Sequence, residues 1–575
     1  MFKKKKFSII FIMTICVSIL TALNYTQARD LEGDAQIGIG ITPFIISESE
    51  EIVNHANIYW SEVVNANYYV LFRSEQNEEN YQEIYQGNAK MFGDYHLEIN
   101  KNYHYKIRAV FDQQEYVESS TIEFQPYQVP DDVGYFHNNE EGGFQGSLGP
   151  GGIKHGDLYY SYRQENDGNG FKQINLYTSE DGENWTFDKV VMDRNSHPDL
   201  EASKLESGTV QYNEHTGEIV GWYHYENNVD YSLARLAVAS GKPGEVWTYH
   251  GSFRPNGNES RDKAYFIDDD GTGYIMSSAN MNADFILYEL TPDHLEIERE
   301  VMTLFEGQHR EGPGITKQDG YYYIFTSDAA GWYPSQAAYA SATSMEGPWS
   351  ELRLIGNKNT FGGQSGHINT VQGSDATTHI MNAYRWMFGW AEDPGGARDR
   401  WYPISLHDGY AFYDYFEKIL ASASTGRVIP VQPGQLISQE KPAFAESELA
   451  GAEAGKANDG DYQSSWVAAN NSWPTWWMVD LEDVYDLSHV QISWFLFNGS
   501  EAVHYYEIET SIDGENFEKV LDRTDNKNYG FTSDSLEGEA RYVRIQLVDA
   551  NLHNNPNNWY TPQLSDVKIF GEIAE

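Results

Sequence analysis

From about residue 40 onward, apolar and polar positions alternate in short runs, the period-two signature of strands that turn one face to a core. The runs are rich in Tyr, Val, Ile and Phe and are separated by Gly, Asn and Asp. Asp181-Gly182, Asp270-Gly271, Asp319-Gly320 and Asp513-Gly514 are hairpin signals, because Asp and Gly tolerate the backbone of tight turns. No long segment spaces its apolar residues with the period of a helix, so the pattern predicts an all-β chain. Two stretches break the texture: Gln125-Pro126-Tyr127-Gln128-Val129-Pro130-Asp131-Asp132, and Pro430-Val431-Gln432-Pro433-Gly434 followed by the small, acidic run from Ala443 to Gly455. They divide the chain into folded units at 40–128, 135–435 and 440–573.

The middle unit repeats itself. A Tyr- or Trp-rich strand pattern returns five times, at Leu158 to Tyr162, Val220 to Tyr225, Gly273 to Ser277, Tyr321 to Phe325 and His379 to Tyr384. Two of the units run on through a polar turn to a Trp, at Trp185 and Trp349. Spacings of roughly 50–60 residues suit blades of four antiparallel strands, which predicts a five-bladed β-propeller with a central funnel lined by the innermost strands. A large sandwich would not account for a five-fold return.

Composition narrows the partners. Of the 575 residues, 40% are hydrophobic and 14% aromatic, which is enough for folded cores and excludes a largely disordered chain. The formal net charge is −47, and a surface that negative repels phosphate backbones and anionic lipid. Nucleic-acid and membrane-surface partners are therefore excluded, while an uncharged polymer remains. Residues 1–28 read as a signal peptide: Lys3 to Lys6 form a basic segment, Phe7 to Leu23 an apolar run, and Thr26-Gln27-Ala28 a cleavage site. The expectation is a secreted, extracellular protein, with an uncleaved anchor as the alternative. The single cysteine, Cys16, lies in that segment, so the mature chain has neither a disulfide nor a thiol nucleophile.

Three carboxylates stand out in the propeller unit. Glu201, Asp262 and Glu311 each lie just ahead of a repeat, at the position that faces the funnel. Carboxylates converging in a cavity lined by Trp and Tyr are what glycoside hydrolysis requires: one acid raised in pKa, one charge that tunes it, and a means of aligning water. No nucleotide-binding loop, Cys/His metal cluster or Ser-His-Asp elbow competes with that reading.

Ser260-Arg261-Asp262 followed by Phe266 and Asp268-Asp269-Asp270-Gly271, then Gly307 to Pro313, Gly331-Trp332 and Phe361-Gly362-Gly363-Gln364-Ser365, resemble glycoside hydrolase family 43, in particular its branch of exo-β-1,3-galactanases. The resemblance spans about 300 residues and implies a five-bladed propeller and an inverting exo-glycosidase, most simply a galactan 1,3-β-galactosidase, that needs no cofactor for catalysis. It implies that Glu311 is the general acid, that Asp262 positions and tunes it, that Glu201 is the first carboxylate of the branch, and that Gln364 holds the attacking water. It also places Arg261, Arg310, Tyr225 and Trp332 around the sugar. The chain departs from the branch where Glu201-Ala202-Ser203-Lys204 stands for Glu-Arg-Pro-Lys, where Arg163-Gln164 stands for Gly-Glu, and where Ala329-Ala330 stand for Cys-Thr. An arabinofuranosidase or xylosidase of the same family, or a propeller that binds polysaccharide without cleaving it, are the alternatives.

The flanking units carry signatures of their own. Trp60 and the strand Tyr103 to Val110 resemble a fibronectin type III domain, with a buried Trp anchor and a tyrosine corner. Ala457-Asn458-Asp459-Gly460-Asp461, Ser464-Ser465-Trp466, Trp477 to Leu481, Tyr505 to Phe517 and Leu564 to Val567 resemble the coagulation-factor 5/8 type C (discoidin) fold and carbohydrate-binding module family 32. That resemblance implies a structural calcium held by Asp459, Asp461, Ser464 and Asp566, oxygen donors of the kind a hard cation takes. Trp473, Phe497 and Trp559 are candidates to stack on a sugar face.

Overall fold

The five aromatic repeats are the second strands of five antiparallel sheets of four strands each. A computed structural model describes residues 36–75, 80–112, 115–138, 152–182, 184–331, 333–385, 399–496, 502–552 and 561–574, and the expected signal peptide lies outside these. The sheets follow one another along the chain, running from Ile153–His155 to Thr186–Asp193, Ser203–Asn213 to Thr248–Phe253, Lys263–Ile267 to Ile297–Leu304, Arg310–Gln318 to Arg353–Ile355, and Ile368–Gln372 to Tyr410–Phe412. In each the strands pair in sequence order, and from the second blade to the fifth the first strands of neighbouring blades touch around the funnel.

The reason for the aromatic runs is that a blade is buried on both faces. In Tyr321–Asp328, Tyr323 and Phe325 enter the core shared with the fifth blade, whereas Tyr322 and Ile324 enter the core shared with the third. In Glu218–Asn227, Val220 and Trp222 face the third blade while Ile219, Tyr223 and Tyr225 face the first. Alternation is therefore between two apolar neighbours, not between core and water. The blade hairpins close as the sequence signals require. Asp319 and Gly320 have φ of 50° and 82°, both positive, as the two-residue type I′ link between adjacent strands demands.

Entry and exit strands of the propeller clasp each other: Gly134–His137 pairs antiparallel with Lys418–Ala421, which pairs with Val428–Val431. Asn138 completes the clasp. Its buried amide donates to the carbonyls of Trp401 and Phe416, both at 2.8 Å, and its oxygen accepts from the Trp401 N–H at 2.8 Å. Asn138→Ala leaves those buried groups unpaired and should lower stability by about 1–3 kcal/mol in urea unfolding. An unchanged midpoint would remove the clasp as a stabilising feature.

Residues 37–128 form two facing sheets, one of Ile39–Phe44, His55–Trp60 and Met91–Asp94, the other centred on Tyr68–Glu75 and Tyr103–Val110. Trp60 is buried between them, and the Tyr103 hydroxyl accepts from the Glu98 N–H at 2.9 Å, the contact expected of a tyrosine corner. The C-terminal unit is built on the 20-residue strand Thr475–Trp494, which pairs with Glu539–Leu552 and Gln563–Ile573 over a core containing Trp466, Trp477 and Trp494. No α-helix occurs among the described residues.

Candidate active site in the propeller funnel

Glu311 is the second residue of the fourth blade's inner strand, Arg310–Gln318. The ladder to the second strand shifts register between Glu311 and Gly314, and glycine is required there. Gly312 has φ of 58°, and a Cβ on it would stand 2.0 Å from the Ser365 carbonyl oxygen. This close approach brings the inner segment of the fifth blade, with Gln364, against Glu311. The Gln364 Nε2 donates to Glu311 Oε2 at 2.9 Å, and the Asn282 Nδ2 donates to Oε1 at 2.5 Å. Burial and the nearby Asp262 charge push the Glu311 carboxyl from its ordinary 4.5 up to about 8, against the opposing influence of the two amides and Arg261. At neutral pH Glu311 therefore carries a proton it can give away.

Asp262 stands immediately before the inner strand of the third blade, Lys263–Ile267, and is fixed from both sides. The Ser207 hydroxyl donates to its Oδ1 at 2.8 Å and the Gly312 N–H to its Oδ2 at 3.2 Å, so the backbone bond comes from the residue next to the acid. Ser207 belongs to the second blade's inner strand, Ser203–Asn213, whose ladder breaks between Glu206 and Thr209 as the fourth blade's breaks between Glu311 and Gly314. Glu206 is thus the second blade's counterpart of Glu311. Its carboxylate accepts from the Tyr231 hydroxyl at 2.8 Å and lies 3.6 Å from His224 Nδ1.

Glu201 is not brought to this group. It is exposed, at the end of the short 3-10 turn Pro198–Leu200, and no described hydrogen bond joins its side chain to Asp262, Glu311 or Gln364. The acid of the second blade that adjoins the Ser207 holding Asp262 is Glu206. The signal that separates them is the break after the acid: Glu206-Ser207-Gly208-Thr209 parallels Glu311-Gly312-Pro313-Gly314, and in both an acid precedes a glycine-containing bulge. Asn282 also escaped sequence reasoning. It ends a hairpin in which Asn280, Met281 and Asn282 all have positive φ, of 52°, 56° and 62°, a conformation to which Asn is suited.

The resemblance implies that Gln364 holds the attacking water, whereas here its amide donates to Glu311. Arg310 is committed to structure: its buried guanidinium donates to Thr326 Oγ1 at 3.0 Å and to the carbonyls of Thr326 and Gln336, and pairs with Asp328. Tyr225 is likewise part of the core, its hydroxyl donating to the Asp199 carbonyl at 2.9 Å. Arg261 stays close to the site; it donates to the Tyr231 carbonyl at 3.1 Å and lies 3.5 Å from Glu259 and 3.9 Å from Glu226. Trp332, Phe497 and Trp559 lie outside the described residues. Trp473 is half-buried, against the C-terminal core and the His504 ring.

In the C-terminal unit the Ser464 hydroxyl lies 2.6 Å from the Lys456 carbonyl oxygen, 2.8 Å from Asp459 Oδ1 and 3.1 Å from the Asp461 carbonyl oxygen. Asp566 is buried, and burial, with added repulsion from Asp414, Asp459 and Asp461 and relief from Lys568, pushes its carboxyl up to about 8. These convergent oxygens and a buried carboxyl that an added positive charge would relieve fit a hard divalent cation in donor chemistry. No group of three or more acidic, His or Cys side chains closes on one point among the described residues, so a cation here would depend on carbonyl and hydroxyl oxygens for much of its shell.

Comparison with known proteins bears on the propeller and on the C-terminal unit. Residues 150–387 match Glycosyl hydrolases family 43, and residues 442–561 match the F5/8 type C domain. A crystal structure of an exo-β-1,3-galactanase from Clostridium thermocellum is 29% identical, with a TM-score of 0.50, covering 72% of this chain and 100% of that one. A second exo-β-1,3-galactanase, from Phanerochaete chrysosporium, is 21% identical with a TM-score of 0.50, covers 76% of this chain and 100% of its own, and supports the fold. A β-D-galactofuranosidase from Aspergillus niger is 27% identical over 124 residues, a match that covers 21% of this chain and 36% of that relative's length. The chain carries a glycosyl hydrolase family 43 domain, folded as a five-bladed β-propeller, and after it an F5/8 type C domain.

Proposed function

We propose that the protein is a secreted exo-acting enzyme that removes terminal galactose from a β-1,3-galactan, with inversion at the anomeric carbon. The observation that carries the proposal is Glu311. A carboxyl buried beside Asp262, raised to about 8 and clamped by two amides is a general acid poised for neutral pH. The choice of sugar draws support from the likeness to the exo-β-1,3-galactanase of C. thermocellum, which extends over the whole of that chain. In this scheme Glu311 protonates the leaving oxygen, and Asp262 fixes it and raises its pKa. Glu206, across the funnel, receives the proton of the attacking water, and Gln364 holds Glu311 in place. Product analysis on β-1,3-galactan beside arabinan and xylan tests the sugar: galactose released from galactan alone is expected, and release from arabinan or xylan instead would overturn the assignment.

The C-terminal domain serves in this scheme as a polysaccharide-contacting module with a structural calcium. Asp459, Ser464 and Asp566, with the Lys456 and Asp461 carbonyls, would hold the ion. These donors come from the start and the end of the domain, so a cation that binds only the folded form should raise its melting temperature. Excess chelator should lower the melting temperature of the full chain, and calcium should restore it. A thermal profile indifferent to both would exclude a stabilising ion.

A further inference from the structure

The loop that ends at Gln364 is held from inside the propeller and from outside it. Residues 357–364 link the outer strand of the fourth blade, Arg353–Ile355, to the inner strand of the fifth, Ile368–Gln372. Thr360, Phe361 and Gly362 have φ of 50°, 49° and 81°, three consecutive left-handed residues of which two carry a Cβ that disfavours the conformation. Such a turn persists only where its surroundings over-determine it.

The propeller holds part of it, with Arg400 donating to the Phe361 carbonyl at 2.7 Å and the Tyr402 hydroxyl to the Thr360 carbonyl at 3.0 Å. Two buried asparagines add to that determination, and each divides its amide between two domains. The Asn357 oxygen accepts from the Phe361 N–H at 2.6 Å, while its NH₂ donates to Ser493 Oγ at 3.0 Å. The Asn359 oxygen accepts from the Gly362 N–H at 3.1 Å, while its NH₂ donates to the carbonyls of Trp494 at 3.0 Å and Gly530 at 2.7 Å. In both, the oxygen holds the loop and the nitrogen holds the C-terminal domain. Between them Lys358 reaches the Ser464 carbonyl at 2.9 Å and Ser465 Oγ at 2.6 Å. The Phe361 ring packs 5.3 Å from Phe531 and 5.5 Å from Tyr462. A Cβ on Gly362 would stand 2.8 Å from the Tyr529 carbonyl oxygen.

We infer that the C-terminal domain is a mould for the active site: it sets the 357–364 loop, and through the loop the place of Gln364 against Glu311, with Asn357 and Asn359 as positioning residues. A module tethered only to hold substrate near would have no need of matched, buried donors on the loop that carries a catalytic contact. The inference rests on the reading of Glu311 as the acid. It adds that catalysis, and not substrate capture alone, depends on how the two domains dock.

The test uses the full chain. Gly530→Ala acts from the C-terminal side, since its Cβ would stand 2.9 Å from Asn359 Nδ2. Asn359→Asp keeps the acceptor for Gly362 and turns a carboxylate on two carbonyls. Both should lower kcat by ~10²-fold, the cost of a displacement of about 1 Å at a reacting group, with KM little changed. Withdrawal of the Gln364 amide, which favours ionised Glu311, should also move the alkaline limb of the kcat profile to higher pH, leaving Asp262, Arg261 and Asn282 as the groups that face the acid. Val543→Ala, in the C-terminal core away from the loop, should lower the melting temperature and leave both kcat and the limb in place. Ser493→Ala, a milder change, should speed hydrogen exchange at the Phe361 amide in an otherwise folded chain. Unchanged kcat and pH profile in Gly530→Ala and Asn359→Asp would overturn the mould while the acid assignment stands. So would an equal loss in Val543→Ala, or unaltered exchange in Ser493→Ala. Full activity in Glu311→Gln would instead remove the acid assignment, and the exchange result would still report on the docking.

Discussion

Glu311→Gln should lose ~10²–10⁴-fold in kcat on a natural galactan, the usual worth of a positioned general acid. The amide keeps the shape and accepts from one of the Asn282 and Gln364 amides, meeting the other once that amide turns its oxygen inward, but it has no proton to give to the leaving oxygen. Substrates with very acidic leaving groups need no proton and should lose far less, which separates loss of acid catalysis from loss of the fold. The pH profile is a second readout. With the carboxyl near 8, activity of the parent enzyme should fall as pH rises through about 8, and this limb should disappear in the variant acting on activated substrates. Stability should also depend on this proton, over the window below that limb. Folded Glu311 keeps its proton up to about 8 whereas the unfolded chain releases it near 4.5, so the folded state binds more protons across that window and stability falls as pH rises through it. Glu311→Gln removes that penalty and should melt higher than the parent at pH 8. A variant with near-parental activity on polysaccharide would remove the assignment.

What the sequence made legible and what it hid have a common physical cause. The second strands of the second to fifth blades are buried on both faces, so their apolar residues run almost without interruption and the repeat is visible without a structure. The inner strands are different. They line the funnel, and those of the second and fourth blades are interrupted by bulges, so neither alternation nor apolar runs mark these two, and an acid on such a strand looks like an acid in a loop. Glu311 and Asp262 stand at the head of inner strands that a repeat follows closely, which makes them legible as a pair. Glu206 heads the same kind of bulge as Glu311 but lies inside the long inner strand Ser203–Asn213, and the sequence points instead to Glu201, five residues earlier. Arg310 and Tyr225 illustrate the reverse error, since polar groups adjacent to a site are as readily consumed by the fold as presented to a ligand. Asn357 and Asn359 lie in a segment with no strand pattern, and the partners of their amides are 136 and 171 residues away in sequence, at Ser493 and Gly530. Only the folded chain brings them together.

Early product from a β-linked galactan should be the α-anomer, and Glu206→Gln should lose ~10²–10⁴-fold in kcat, because a water activated from the far side of the funnel must do the attacking. Retention would need a second carboxylate ~5–5.5 Å from the acid and free to bond the anomeric carbon, whereas inversion leaves ~6.5–9.5 Å for a water. The carboxylate nearest the acid in bonding is Asp262, and both of its oxygens are engaged, by Ser207 and by the Gly312 N–H that adjoins Glu311. Gln364 is an amide, a poor nucleophile and no base at neutral pH. Glu206 remains, projecting from the second blade while the acid projects from the fourth, and anchored by the Tyr231 hydroxyl with His224 alongside. Proton NMR read before mutarotation distinguishes the anomers directly. The β-anomer appearing first would sink inversion and with it the role given to Glu206. Exposed Glu201 supplies the matched comparison: Glu201→Gln should leave turnover near that of the parent, and a loss there equal to that of Glu206→Gln would return the base to Glu201.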